Sequence, residues 1–141
     1  MILEQRLSVV TLGDKDLQAA IDFYSKTLGW EQMPWDSDAV AFFKLNGVVL
    51  SLFPSGALAK DAQVSAEGGG FKQFTLAYTT RTKEEVDQII ADLQEKDVEI
   101  VKQPEEVFWG GYSAYFSDPD GNLWEVAYNP FIEMDEEGNL K

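Results

Sequence analysis

The strongest constraint on the fold of this chain is an internal repeat, because the same order of predicted elements occurs twice. The first copy covers about residues 6–54 and the second about residues 71–130. In each copy the pattern predicts one strand, one helix and then three strands, with a tight turn between the last two. Residues 55–70, which are small, polar and glycine-rich, predict a linker between the copies. We therefore expect one α+β domain, residues 1–141, built from two βαβββ modules.

In the first copy, residues 7–12 are β-branched and apolar and predict a strand. Asp16 then offers an N-cap to a helix whose apolar residues recur at helical spacing as far as Gly29. Three strands are expected after it, at about residues 30–35, 39–45 and 48–53. Asn46-Gly47 predicts a hairpin turn between the last two.

The second copy opens with an alternating strand pattern at residues 71–80. Thr82 and Glu85 form a capping box that predicts the start of a helix. Three strands are expected after it, at about residues 98–103, 112–117 and 122–128. Residues 118–121, Asp-Pro-Asp-Gly, predict a type I turn between the last two. The acidic tail, residues 131–141, is expected to be a frayed end or an arm over a partner.

Helices cover only one face of each predicted sheet, so neither module can bury its sheet alone. The two sheets are therefore expected to curl towards each other and to leave a concave cavity between their other faces. A cavity of this kind is the natural place for a binding site.

Histidine and cysteine are both absent from the 141 residues. Their absence excludes catalytic triads based on His, thiolate nucleophiles, disulfides and metal sites with Cys ligands. Any chemistry must depend on carboxylates, Tyr, Lys, a cofactor or a metal bound only by oxygen.

The formal net charge is −14, from 25 acidic and 11 basic residues. Such a charge repels phosphate backbones, so we expect no nucleic-acid partner, and it favours a cationic ligand. Solubility alone also explains an acidic surface. Residues 1–6 lack the features of a signal peptide, and no apolar run approaches the roughly 18 residues of a membrane span. We expect a soluble cytoplasmic protein without a membrane partner.

Two stretches, DLQAAIDFYSKTLGW at residues 16–30 and DPDGNLWEV at residues 118–126, resemble motifs of the vicinal oxygen chelate superfamily. This family includes glyoxalase I, bleomycin-resistance proteins and extradiol dioxygenases. The resemblance extends over about residues 6–130 and implies paired βαβββ modules and a homodimer. In the members that use a metal, four strands each supply one ligand, and the metal stabilises an enediolate or similar anion.

Carried over from the family motif, the four ligand positions fall on Val9, Ser51, Phe74 and Glu125, with Gln73 as the alternative to Phe74. Glu125 alone keeps a family ligand type. One carboxylate and one hydroxyl are too few for a catalytic divalent metal, which needs about three protein ligands. The resemblance therefore implies no metal cofactor and argues against lactoylglutathione lyase activity. A divalent metal with Glu125 as one ligand is the alternative.

Alternation along the last strand places Leu123, Glu125 and Ala127 on one face and Trp124 and Val126 on the other. Because the two apolar residues are expected to pack under the helices, Glu125 should face the cavity. A carboxylate there must be hydrogen-bonded, paired or protonated.

Three interpretations of Glu125 are open. It is half of a structural ion pair with Lys44, Lys72 or another inward cation, it binds a ligand, or it transfers a proton.

Aromatic residues are expected around Glu125. If Ala114 pairs with Glu125, Tyr112 and Phe116 lie on the same face as the carboxylate. Trp109 comes before two glycines that allow close backbone approach, and it forms either a wall of the pocket or a lid over the core. The expected ligand-binding residues are Ser51, Phe74, Trp109, Tyr112 and Phe116.

Three functions follow from these expectations. The first is a metal-free protein that binds a small aromatic or cationic organic molecule. The second is a lyase or isomerase in which Glu125 acts as general base beside Tyr112, or as one ligand of a divalent metal. The third is an interaction module without small-molecule chemistry.

Overall fold

The computed structural model describes residues 2–141 and contains two compact units, with the division between Gly68 and Gly69. Each unit contains a mixed β-sheet and at least one helix, so the predicted α+β class is confirmed. The concave cavity expected between the two modules stays a prediction.

The first unit consists of a three-stranded sheet and two short helices. Its elements are β1 (Val9–Asp14), α1 (Leu17–Asp22) with a π-helical continuation (Phe23–Thr27), β2 (Ala41–Lys44), β3 (Val49–Pro54) and α2 (Ser55–Asp61). The strand order is β1-β3-β2, in which β1 pairs with β3 in parallel and β2 pairs with β3 antiparallel. Asp16 caps α1 as predicted, because its carboxylate accepts a hydrogen bond from the backbone N–H of Ala19 at 3.1 Å.

A group of rings around Tyr24 fills the core of the first unit. The Tyr24 side chain is fully buried, and its ring centroid lies 5.7 Å from that of Trp30 and 6.0 Å from that of Phe43. Aromatic pairs at this spacing add stability beyond the apolar area that they bury. These contacts join the helical segment to β2.

Residues 30–35 form no strand, so this part of the prediction is wrong. Gln32 alone makes an isolated bridge, to Phe43 of β2. Pro34 is the fifth residue of this segment, and its missing N–H cannot donate to a strand ladder.

The segment predicted as a linker, residues 55–70, begins with α2 and is a helix over its first seven residues. Residues 57–60 have good helix propensity. The helix packs closely on β1, because a Cβ atom added at Gly13 would lie 2.9 Å from Ser55 Oγ and 3.5 Å from a methyl carbon of Leu58. Packing on β1 thus stabilises α2, and the local sequence pattern does not predict this packing.

The second unit has the predicted βαβββ order. Its elements are β4 (Leu76–Thr80), α3 (Lys83–Glu95), β5 (Glu99–Glu106), β6 (Tyr112–Ser117) and β7 (Leu123–Tyr128). The strand order is β4-β7-β6-β5, with β4 parallel to β7 and the other neighbours antiparallel.

Helix α3 begins where the capping box predicts. Thr82 Oγ1 accepts a hydrogen bond from the backbone N–H of Glu85 at 3.2 Å. The helix buries Val86, Ile90 and Leu93, which share one side at helical spacing. No helix within residues 2–141 is long and apolar enough to cross a membrane.

The buried carboxylate of Asp118 holds the turn between β6 and β7. It accepts hydrogen bonds from the backbone N–H groups of Asp120 at 2.9 Å and Asn122 at 2.8 Å, and from Asn122 Nδ2 at 2.7 Å. The backbone N–H of Gly121 donates to the Asp118 carbonyl at 3.2 Å. Gly121 adopts a φ of +80°, a left-handed conformation that favours glycine.

The C-terminal tail contains a second turn of the same kind. The Asp135 carboxylate accepts hydrogen bonds from the backbone N–H groups of Glu137 and Asn139 at 2.9 and 2.8 Å, and from Asn139 Nδ2 at 3.1 Å. Arg81 Nη2 donates to the carbonyl oxygens of Asp135 and Glu136. The tail is therefore a small hairpin bound to the segment between β4 and α3, and not a frayed end.

Replacing Asp118 by Ala removes three hydrogen bonds at a buried carboxylate, and we expect the free energy of unfolding to fall by about 2–4 kcal/mol. Asp135→Ala is the matched control, because it removes the same bonds from the tail hairpin and leaves the β6–β7 turn intact. It should lower the free energy of unfolding much less. Urea unfolding followed by circular dichroism measures both effects, and equal losses would contradict the role given to Asp118.

Candidate functional site

A pocket of about 350 Å³ lies on the sheet of the second unit, on the face opposite α3. Ser113, Tyr115 and Glu125 line it. Strand side chains alternate between faces, and Tyr112, on the other face, contacts Asp87 of α3. The lining further includes Lys102, Glu105, Glu106 and Trp109. The volume falls in the range of about 300–1,000 Å³ that is typical of small-molecule sites.

Four side chains cross this face of the sheet in one row. Tyr115 pairs with Lys102 of β5 and with Glu125 of β7, and Glu125 pairs with Ala77 of β4. Neighbouring strands lie about 4.8 Å apart, so the backbones of Lys102 and Glu125 are about 10 Å apart. The row thus places a cationic, an aromatic and an anionic side chain next to one another.

Two irregularities in β5 bring Lys102 into this row. The register of β5 against β6 slips by one residue on each side of Lys102. Without the first slip, Val101 would lie opposite Tyr115. The second slip contains Pro104, whose missing N–H cannot complete the ladder. Bulges of this kind redirect side chains and are common beside functional sites.

Tyr115 lies directly opposite Glu125 across the β6–β7 pair, so the two side chains are neighbours on this face of the sheet. Burial raises the pKa of Tyr115 above its ordinary value, and the negative charge of Glu125 raises it further. Lys102 Nζ lies 5.9 Å from the centroid of the Tyr115 ring, within cation–π range. At neutral pH the Tyr115 phenol is therefore protonated, and it lies between the charged side chains of Lys102 and Glu125.

Two of the three glutamates in the pocket have lysine partners. Glu106 pairs with Lys83 at 2.6 Å, and Glu105 pairs with Lys102 at 3.3 Å. None of the ion pairs found within residues 2–141 includes Glu125. The interpretation of Glu125 as half of a structural ion pair therefore receives no support.

A smaller depression of about 230 Å³ contains Phe74 and Lys72, two residues predicted near Glu125. Phe74 lies outside β4 and does not line the pocket that contains Glu125. Lys72 Nζ donates to the carbonyl oxygen of Asp120 and to Oδ1 of Asn122, both at 3.0 Å. Lys72 therefore supports the β6–β7 turn.

The expected pairing of Ala114 with Glu125 is wrong, because Tyr115 lies opposite Glu125. The reason is the left-handed Gly121 at the end of the turn. A type I turn followed by a left-handed residue has one more loop residue than a plain turn, and this moves the register by one.

Tyr112 and Phe116 lie on the α3 face, so the expectation that they share a face with Glu125 is also wrong. The Tyr112 hydroxyl donates to Asp87 Oδ1 at 2.6 Å, and this bond raises the pKa of Tyr112 to about 12. Phe116 is buried and stacks on Trp124, with the ring centroids 6.1 Å apart and the planes within 2°. Phe116 packs in the core, and the Tyr112 hydroxyl joins β6 to α3.

Two of the predicted positions belong to the first unit. Ser51 is buried in β3 and pairs with Thr11 of β1. Val9 begins β1, and its side chain is 44% exposed and carries no ligating atom. The role of Ser51 in ligand binding stays a prediction.

Trp109, in the loop between β5 and β6, lines the same pocket as Glu125. Its indole ring lies against Gly111, where an added Cβ atom would overlap the ring. Gly110 has a φ of +95°, and the ring of Phe131 lies against it. The two glycines thus allow the loop to turn Trp109 back onto the pocket.

The side chains around Glu125 do not fit the divalent metal centre of the metal-using relatives. Within the described residues 2–141, no group of three acidic side chains is placed to hold a metal ion. The partner of Glu125 on β4 is Ala77, which has no donor atom in its side chain. Since such a centre needs about three protein ligands, the chemistry of this pocket rests on its organic side chains.

Gly111→Ala places a methyl group where the Trp109 ring lies, and we expect the ring to move away from the pocket. The chain has four tryptophans, and Trp109→Phe identifies the indole N–H signal of Trp109 in a ¹H–¹⁵N NMR spectrum. That signal should shift in Gly111→Ala. It should stay in place in Gly69→Ala, the control, because Gly69 has open space around it. An unchanged signal in Gly111→Ala would contradict the packing of Trp109 on Gly111.

Comparison with known proteins gives a consistent result. The sequence profile of the Glyoxalase/Bleomycin resistance protein/Dioxygenase superfamily matches residues 6–126. A glyoxalase-related enzyme from Fulvimarina pelagi has a TM-score of 0.85 and 28% identity, over 98% of both chains. A glyoxalase/bleomycin resistance protein/dioxygenase family enzyme from Burkholderia phytofirmans PsJN has a TM-score of 0.75 and 25% identity, over 87% of this chain and 98% of the other.

A lactoylglutathione lyase from Agrobacterium tumefaciens has a TM-score of 0.70 and 26% identity, over 90% of this chain and 96% of the other. No functionally curated protein matches the sequence significantly. The profile match runs from before β1 into β7 and includes Glu125. It covers both motifs that carry the resemblance, residues 16–30 and 118–126. The chain therefore belongs to the Glyoxalase/Bleomycin resistance protein/Dioxygenase superfamily.

Proposed function

We propose that this protein binds a small organic cation with an aromatic part, without a metal, in the pocket around Glu125. One observation carries the proposal. Glu125 lines a pocket of small-molecule size and has no ion-pair partner within residues 2–141. A ligand cation would supply the ion pair that Glu125 lacks within residues 2–141.

The charge around the pocket supports a cationic ligand. Three glutamates and one lysine line it, which gives a formal charge of −2 from one positive and three negative groups. The whole chain carries −14. The negative charge of the pocket lining and that of the whole chain both attract approaching cations and repel anions.

The aromatic lining supports a ligand with a flat apolar part. Trp109 lines the pocket from the β5–β6 loop, and Tyr115 lines it from the sheet. Aromatic faces at a binding site stack on flat ligands and attract cations through their quadrupoles. Trp109 and Tyr115 therefore offer stacking contacts and Glu125 offers a negative charge to the same ligand molecule.

Three naphthalene probes test this proposal, because they share one ring system and differ in charge. We expect 1-naphthylmethylamine, a cation at pH 7, to bind more tightly than neutral 1-naphthalenemethanol and anionic 1-naphthylacetate. In Glu125→Gln the affinity for the amine should fall by about tenfold or more, as expected for the loss of a charge-assisted hydrogen bond. The affinity for the alcohol should change little. Isothermal titration calorimetry measures all the affinities.

Glu99→Gln is the matched control, since it removes one negative charge from the same sheet at an exposed residue that does not line the pocket. It should leave the affinity for the amine nearly unchanged. Equal affinities of the wild type for all three probes would contradict the cationic preference. Failure of every probe to bind would favour the interaction module without small-molecule chemistry.

A second candidate function is proton transfer in a lyase or isomerase, with Glu125 as general base. The position of Tyr115 favours it, because the β6–β7 pairing places a protonated phenol next to the Glu125 carboxylate in one pocket. The similarity to a lactoylglutathione lyase from Agrobacterium tumefaciens gives a reason to test it. In this mechanism Tyr115 lies beside Glu125, whereas the sequence predicted Tyr112 at that position.

Deuterium exchange tests this second candidate. Hydroxyacetone carries a hydroxyl next to a carbonyl, and a general base at Glu125 would exchange its carbon-bound protons in D₂O. We expect exchange in the presence of the wild-type protein to be about 100-fold faster than in the presence of Glu125→Gln, as measured by ¹H NMR. Equal rates for the two proteins would exclude Glu125 as the base for this probe.

A further inference from the structure

We infer that the ligand of this pocket is a zwitterion, with its cationic group at Glu125, an aromatic or other flat group over Tyr115, and its anionic group at Lys102. This inference rests on the proposed function and adds the anionic end of the ligand. It follows from the row of side chains that crosses the sheet.

The first support is the position of Lys102. It lies on the strand next to Tyr115, and Tyr115 lies on the strand next to Glu125. The two charged residues are therefore separated by one aromatic side chain, and their backbones are about 10 Å apart. A molecule with opposite charges at the two ends of one ring matches this order.

The second support is the orientation of the Lys102 side chain. Its Nζ lies 5.9 Å from the centroid of the Tyr115 ring, and Lys102 lines the pocket. The slips in register on each side of Lys102 give it this orientation, whereas a regular strand would present Val101 opposite Tyr115. The ammonium group is thus held at the pocket and is not directed away from it.

The third support is the weakness of the existing partner of Lys102. The ion pair with Glu105 is 3.3 Å long, and the Glu105 side chain is 62% exposed. Exposed ion pairs between neighbours in sequence contribute little to stability. A ligand carboxylate that is partly desolvated in the pocket can therefore replace Glu105 at small cost, with Glu105 turning into solvent.

The net charge of the pocket does not oppose this inference. The lining carries three glutamates and one lysine, so an anion alone should be repelled. A zwitterion has no net charge. It can therefore gain the contact with Lys102 while its ammonium group compensates Glu125.

Three benzene derivatives test the inference by calorimetry: benzylamine with a cation alone, 4-methylbenzoate with an anion alone, and 4-(aminomethyl)benzoate with both. We expect the zwitterion to bind roughly tenfold more tightly than benzylamine, the gain expected from one charge-assisted contact. We expect 4-methylbenzoate not to bind measurably. Lys102→Gln should remove the advantage of the zwitterion, while the affinity for benzylamine should not fall, because the variant makes the pocket lining more negative.

Two further variants control for charge and folding. Lys102→Arg keeps the positive charge and should restore the advantage of the zwitterion. Lys96→Gln removes a positive charge at the C-terminal end of α3, outside the pocket lining, and should change neither affinity. Circular dichroism spectra check that all the variants fold.

The outcomes separate the inference from the proposed function. Equal affinities for benzylamine and the zwitterion would overturn the inference and leave the proposed function standing. An advantage of the zwitterion that persists in Lys102→Gln would also overturn the inference. Failure of both amines to bind would overturn the proposed function, and the inference with it.

Discussion

The register between β6 and β7 decides which side chains can meet Glu125, and one turn sets that register. Asp118 holds the turn through three hydrogen bonds, and the left-handed Gly121 adds one residue to the loop. A slip of one residue would move every side chain of β6 to the other face of the sheet. Tyr115 would then leave the pocket, and Phe116 would enter it. The chemistry of the pocket thus depends on a turn whose residues do not line it.

Much of the fold could be predicted, because the signals that define it act over short distances. The Thr82 cap, the side of α3 that is buried and the turn at residues 118–121 are all encoded within a few residues. The helix α2 could not be predicted from its composition, because its packing on Gly13 involves residues far away in the sequence. Residues 30–35 form no strand although their composition favours one, because Pro34 lacks the backbone N–H that a strand ladder requires.

The candidate site was predicted less well than the fold. Glu125 and Trp109 do line one pocket, as the alternation of strand residues and the two glycines indicated. The sequence predicts the wrong partner for Glu125, because a plain type I turn lacks the additional loop residue that the left-handed Gly121 provides. The presence of Lys102 in the pocket could not be predicted, because bulges arise from the pairing of two strands and Pro104 is the only local signal for them. Of the four positions carried over from the family's ligand set, Val9, Ser51, Phe74 and Glu125, only Glu125 has a carboxylate.

Strand β5 forms one edge of the four-stranded sheet in the second unit, and its irregular backbone has a consequence for solubility. A long regular edge strand offers a row of unpaired N–H and C=O groups to any other extended chain. The two slips in register against β6 make β5 irregular on each side of Lys102, and an irregular edge pairs less readily with another extended chain. The residues that direct Lys102 into the pocket thus also make the edge a poor template for intermolecular β-sheet. A more regular β5 would place Val101 opposite Tyr115 in place of Lys102 and would present a longer regular edge.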